Sequence, residues 1–481
     1  MTVTKASVGN RWKGFPLKLL LLITSLLLLA GCMAHIPATK PALDDQGEVY
    51  LYTRPFPQQA SRLGFTLKNI EAVREDGVRF PLALRLTEIK GAEMTRQRFL
   101  ASGTLPPGNY TALAFGVKQA TLRGEDGDAT LLVPEEAVLV DSFFTIARKK
   151  ARFLSLGFNY NEAVTKSFAF SPAFTVKVPG NPVAGLVGYA ANAGANTVTV
   201  FDRQSFEVTG IISTGRVPRC VVIDQLRRRA YVALSGDNAI DVIDIPTNEV
   251  VGTIRLNSGD EPVELALSPD ARSLLCVNSG SGTVSFLDPV ALVELERITV
   301  GNGPSSIALE PAGSRAFVFN DATSTISVID VRKRSLMTSL ATEPGPSRGA
   351  FNRRGDLLYI IHGQSPNLDL LNPFSLSLQS RRHVGMGMQA LKVDRATDLL
   401  YAARRLSSEI ELFEPSAVLP LTFIRTGGEI VHMAIDGELN NLYAVNPSRK
   451  SVHVINLVSK NVSAELDLDE DPAWVAIVGE R

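Results

Sequence analysis

Seven positions, separated by 44 residues once and then by 42 five times, hold the chain's best candidates for chemistry. They are Cys220, Glu264, Ser306, Arg348, Ala390, His432 and Trp474. An acid, a guanidinium, an imidazole and an indole thus stand where equivalent positions are small. Arg219, Ser305, Ser347 and Gln389 lie one residue earlier. Two uses fit these residue types. Glu264 with His432 can perform general acid–base work while Arg348 or Arg219 holds a carboxylate. Alternatively Glu264 and Arg348 pair with each other, Trp474 packs over them, and the ring is structural. No nucleophile stands poised by a base.

The remaining candidates exclude more than they suggest. His35, His362, His383, His432 and His453 fall at different positions of the spacing, whereas a copper or haem site needs several that converge. That scatter also argues against a redox-partner role. No HExxH, CxxC, CxxCH, GxSxG or phosphate loop occurs, so no metal, nucleotide or other cofactor is expected. Cys220 and Cys276 fall in different units of the spacing and are expected as free, buried thiols.

The same spacing runs through the elements that must carry these residues. An aromatic or Leu anchor recurs at Tyr189, Tyr231, Leu275, Phe317, Tyr359, Tyr401 and Tyr443. Thirteen residues on stands a polar turn former: Asp202, Asp244, Asp288, Asp330, Asn372, Glu414 and Asn456. Such a side chain bonds the backbone two residues on and closes a hairpin, which makes this series turn chemistry and not metal ligands. Each unit holds four apolar runs of about five residues, too short for helices and rich in Val, Ile, Thr and Phe. Pro218, Pro262, Pro304, Pro346 and Pro472 open the fourth run, replaced by Met388 and Ile430. The two extra residues of the longer unit lie in loop 257–261, where insertions are tolerated.

Seven four-stranded meanders of roughly 42 residues have one closed arrangement, a seven-bladed β-propeller, in which each blade covers its neighbours. The pattern resembles the YVTN-type β-propeller repeat, seen in Leu186–Asp202, Ala230–Asp244 and Leu442–Asn456, and the resemblance spans residues 184–481. Gly-His and Trp-Asp pairs are missing, so it is not a WD-repeat. Trp474 is the only tryptophan beyond residue 12, which disfavours tryptophan-docking propellers that bind quinone cofactors. Some relatives of the resembled family are lactonases or lactonising isomerases. The last run, Ala473–Val478, has no outer strands after it, while the first unit lacks an inner strand. It is therefore expected to complete the first blade and close the ring. Phe174–Val178 is the competing segment.

The chain begins with Lys5, Arg11, Lys13 and Lys18 and no acid, followed by the apolar run Leu19–Ala30. Twelve residues suit a signal-peptide core and are too few to span a bilayer. The run ends in Leu29-Ala30-Gly31-Cys32, which is similar to the lipobox of bacterial lipoproteins. That resemblance implies a signal peptide over 1–31, lipidation of Cys32 and anchoring by two or more acyl chains. Met33, in place of the Asp that marks inner-membrane retention in enterobacterial lipoproteins, favours an outer membrane. Without the leader 45 basic residues face 49 acidic ones, a balance that argues against nucleic acid. Residues 32–47 read as a flexible tether.

Between 48 and 180 the repeat is absent, and alternating runs are punctuated by Asp76-Gly77, Pro106-Pro107-Gly108-Asn109 and Gly124–Gly127. About 130 residues of antiparallel strands suit one β-sandwich. The segment Leu105-Pro106-Pro107-Gly108-Asn109-Tyr110 resembles a turn of transthyretin-like and carboxypeptidase-regulatory-like sandwiches, and an uncharacterised sandwich domain of bacterial lipoproteins. The expectation is an all-β, monomeric envelope lipoprotein whose propeller binds or scaffolds a protein or glycan. A lactonase- or isomerase-like enzyme at the channel mouth is the alternative.

Overall fold

The computed structural model describes residues 40–125, 127–165, 168–414 and 419–480. Cys32 and the expected signal peptide lie outside them. The seven meanders form seven separate four-stranded sheets, each a blade of one propeller. Their inner strands are Pro472–Ile477, Pro218–Asp224, Pro262–Leu267, Pro304–Leu309, Pro346–Phe351, Met388–Val393 and His432–Asp436, for blades 1 to 7. Each adjoins the next around the axis, and that of blade 1 meets both blade 7 and blade 2. The last strand pairs antiparallel with Val187–Asn192, Ala190 opposite Val475, so the chain end closes the ring. Phe174–Lys177 pairs instead with Ala151–Phe158 of the N-terminal domain.

Local chemistry accounts for the blade. The turn side chains accept backbone amides as their types require: Asp202 from Gln204 and Ser205, Asp288 from Val290 and Ala291, Asn372 from Phe374 and Ser375. The chain leaves these three turns, and the one at Asp330, through left-handed residues: Phe206, Leu292, Leu376 and Arg334. The anchor tyrosines are buried, and several phenols reach the third-strand hairpin of the following blade. Tyr189 donates to Asn248 Oδ1 at 2.8 Å, Tyr231 to the Pro289 carbonyl at 2.9 Å, and Tyr443 to the Arg203 carbonyl at 3.4 Å across the closure. Phe317 has no hydroxyl; in its blade Arg315 reaches the Pro373 carbonyl at 2.6 Å instead. These bonds join blades whose apolar faces already bury one another.

The N-terminal domain departs from the sandwich expected. Its strands form one continuous ten-stranded sheet, a half-barrel. The strands are β1 (Gly47–Thr53), β2 (Leu63–Arg74), β3 (Arg79–Leu84), β4 (Glu88–Lys90), β5 (Arg98–Leu105), β6 (Gly108–Arg123), β7 (Asp128–Leu131), β8 (Val138–Ile146) and β9 (Ala151–Phe158), with Phe174–Lys177 at the end. The cause is β3, which pairs with both β2 and β5, while a parallel pairing of β1 with β9 extends the same sheet to Phe174–Lys177. One face encloses an aromatic core that includes Phe65, Tyr110, Phe115 and Phe174. The Pro-Pro-Gly-Asn turn behaves as its residues suggest: Tyr110 is buried and donates to the Pro106 carbonyl at 2.9 Å.

The other face of β1, β5 and β9 packs Tyr50, Tyr52, Phe99 and Phe153 on Val208 and Ile211 of the outer strand of blade 1, Glu207–Ser213. Around this patch Arg96 and Arg98 hold Asp467 at 2.6 and 2.8 Å, and Arg85 pairs with Asp469 and Glu470. The tether expected over residues 32–47 is fastened from Lys40, which pairs with Glu48 and whose carbonyl accepts from Asn196 at 2.6 Å.

Candidate functional site

The inner strands share a bulge that aims the ring residues. Register shifts after the opening proline or methionine in blades 2 to 6, so Arg219, Val263, Ser305, Ser347 and Gln389 are the unpaired residues. A bulge of this kind redirects the side chains on either side of it. In most blades it follows a left-handed residue: Val217, Glu261 and Asp471, with glycine at 303, 345 and 387.

The structure brings Glu264, Arg348, His432 and Trp474 together on the axis. Arg348 Nη2 lies 3.1 Å from Glu264 Oε2, and Ser306 Oγ donates to Glu264 Oε1 at 3.4 Å. The Arg348 guanidinium sits 5.3 Å above the Trp474 ring. On Trp474 the His432 imidazole is stacked at 3.5 Å, inclined by 21°. His432 Nδ1 accepts the Val475 amide at 3.4 Å. These side chains form a diaphragm. On one side the channel widens into a chamber of about 550 Å³; on the other a mouth of about 200 Å³ opens past Arg219 and Asp471. Arg219 itself is exposed in that mouth and has no ion pair or hydrogen bond among the described residues.

Burial sets the electrostatics. Desolvation pushes the Glu264 carboxyl above the usual carboxylate range, against the pull of Arg348 and Ser306. Burial holds His432 well below an ordinary imidazole, and Arg348 and Lys392 push it the same way. It is a neutral ring on an indole. Cys220 closes the ring from blade 2 as a free thiol, raised by burial, its sulfur taking the Leu265 amide at 3.4 Å. Cys276 is also free and buried.

Reading the sequence by its ring missed a second polar series inside the blades. Thr199, Asp241, Ser285, Ser327, Asp369, Glu411 and His453 lie ten residues after each anchor, and all seven are buried. In blades 1, 3 and 4 an Asn at the end of the second strand donates to this hydroxyl: Asn192 to Thr199 at 2.9 Å, Asn278 to Ser285 at 2.8 Å, Asn320 to Ser327 at 3.0 Å. Blades 5 and 6 use ion pairs there, Arg381 on Asp369 at 2.6 Å and Arg404 on Glu411. The available signal was a polar residue inside an apolar run, which is the informative kind. Among the described residues no group of three or more His, Cys, Asp or Glu is placed to hold a metal ion.

Fold and axis together define a seven-bladed β-propeller with a half-barrel sheet docked on its first blade. No protein-family model matches the chain, and no curated protein matches it by sequence. Solved structures do. A hydrazine synthase of Kuenenia stuttgartiensis matches with a TM-score of 0.51 and 17% identity, over 58% of this chain and 94% of that one. A dihydro-heme d1 dehydrogenase matches at 0.50 and 14%, over 63% and 78%. A putative 6-phosphogluconolactonase of Bacteroides uniformis matches at 0.51 and 15%, over 60% and 98%. At these identities the likeness is one of fold.

Proposed function

We propose that this chain is a lipid-anchored envelope protein whose propeller is a binding and scaffolding module for a protein partner. The observation that carries the reading is that the polar groups on the axis are spent on one another. Glu264 binds Arg348, Arg348 lies on Trp474, and Trp474 carries His432. Ser306 likewise spends its hydroxyl on Glu264.

The outer strands support a protein partner over a glycan. Val250 and Val251, Val293 and Leu295, and Leu336 and Met337 stand exposed on successive blades. The blade 1 counterpart of Val250 and Leu336, Val208, is buried under the N-terminal sheet, an example of how such a position is covered. The test is photo-crosslinking in native membranes from positions 293 and 337, with Glu249→Ala as a polar control. One shared adduct, lost on Leu336→Glu, supports the reading. Adducts that are the same from every exposed position, or absent, refute it.

A lactonase-like enzyme is the second reading, favoured by the chamber of about 550 Å³ that Glu264 and His432 both line, with burial favouring the uncharged form of each. Lactone hydrolysis that survives both Glu264→Gln and His432→Asn would discard it.

A further inference from the structure

A second cavity lies where the N-terminal sheet meets blades 1 and 2, and it shares no lining residue with the channel. It encloses about 350 Å³, the small end of ligand sites. Its walls are apolar where Phe153, Ile211 and Ile212 line it, and Arg148, Lys149, Lys150 and Arg152 stand around it. Opposing charge is limited. Glu249 lines the same cavity but is taken by Lys150 at 2.7 Å, and Arg148 faces Asp45 at 3.4 Å in solvent. Arg152 makes no ion pair among the described residues, and its Nε is shut from solvent without a hydrogen-bond partner.

A basic cluster with one unpaired guanidinium on a small cavity invites an anion. The surroundings narrow it. A guanidinium fits a phosphate or carboxylate, and the apolar walls fit an apolar body attached to it. We infer that this cavity is a binding site for an anionic amphiphile, its phosphate or carboxylate held by the Arg152 guanidinium within the basic cluster and its apolar part lying on Ile211 and Phe153. A free amphiphile and a membrane lipid share that chemistry.

Calorimetric titration of the intact chain with decyl phosphate, decanoate and decyltrimethylammonium, below their micelle concentrations, tests it. The two anions are expected to bind and the ammonium not. Arg152→Gln is expected to weaken decyl phosphate by about tenfold or more, the loss of a charge-assisted hydrogen bond. Arg148→Glu, at a largely exposed position, keeps the test decisive if the first variant misfolds, and should weaken the anions severalfold. Flotation with phosphatidylglycerol vesicles then assigns the source: Arg152-dependent flotation means a membrane lipid, and titration without flotation means a free amphiphile. Equal binding of the ammonium, or anion affinity indifferent to both variants, overturns the site.

Discussion

Gln97 closes the free edge of blade 1 at Val208. Its Nε2 donates to the Val208 carbonyl at 3.0 Å, and its Oε1 accepts the Val208 amide at 2.7 Å. One side chain therefore makes both bonds that a further strand would make at that residue. An outer strand with bare amides and carbonyls is a template for unwanted pairing, and here the N-terminal sheet covers it. Gln97→Leu keeps the volume and leaves two buried backbone groups unpaired, so it should destabilise the chain by about 2–4 kcal/mol. Unfolding in urea measures this; a cost below about 0.5 kcal/mol would mean that the contact is incidental.

Arg203 and Asp436 fasten the ring closure. They are 1% and 0% exposed, with Nη1 2.6 Å from Oδ2. Arg203→Met strands a buried carboxylate and should cost about 3–5 kcal/mol, whereas Arg203→Met with Asp436→Asn should recover much of it. A double-mutant cycle with additive losses would contradict the pairing.

Glu261 occupies a left-handed conformation, φ 48°, at the position where blades 4, 5 and 6 use glycine. An L residue there carries about 1–2 kcal/mol of strain. The Glu261 side chain is exposed, and its amide bond to Asn238 at 2.9 Å survives substitution. Glu261→Gly is thus expected to raise stability by up to about 1 kcal/mol after the entropic cost of glycine. A lowered melting temperature would show that the conformation is not strained.

Acid should weaken the fold before ordinary carboxylates titrate. His432 and His362 are both depressed below the usual imidazole range, with burial the largest cause. A depressed histidine binds fewer protons folded than unfolded, so its contribution is present above about pH 6.5 and is lost as pH falls. His432→Asn should reduce the slope of stability against pH between about 6.5 and 5 by up to about 1.4 kcal/mol per unit. Identical slopes would mean that His432 titrates normally.

Tyr231→Phe removes only the bond to the Pro289 carbonyl and should cost about 1 kcal/mol. Phe317, in the equivalent place, shows that the blade tolerates the ring alone. A loss above about 3 kcal/mol would assign the phenol a larger role than joining two blades.

What the sequence disclosed follows from repetition. Tyr189 to Tyr443, the turn series from Asp202 to Asn456 and the closing strand at Pro472 were legible because seven copies average out local accidents. The ring at Glu264, Arg348, His432 and Trp474 was legible as positions, but its internal bonding was left between two readings, since spacing says nothing about direction. The region before residue 180 has a single copy. The pairing of β1 with β9 joins residues about a hundred apart and leaves no periodic trace. The docking of Arg96 and Arg98 on Asp467 was invisible for the same reason.

The strand that completes blade 1 is Pro472–Ile477, the last of the propeller strands in sequence order. Until those six residues emerge, the cylinder has a gap with an open sheet border on blade 1. A prematurely terminated product cannot seal itself, whatever the quality of its other six sectors. Such a product keeps an unsealed border, a ready template for pairing with another chain.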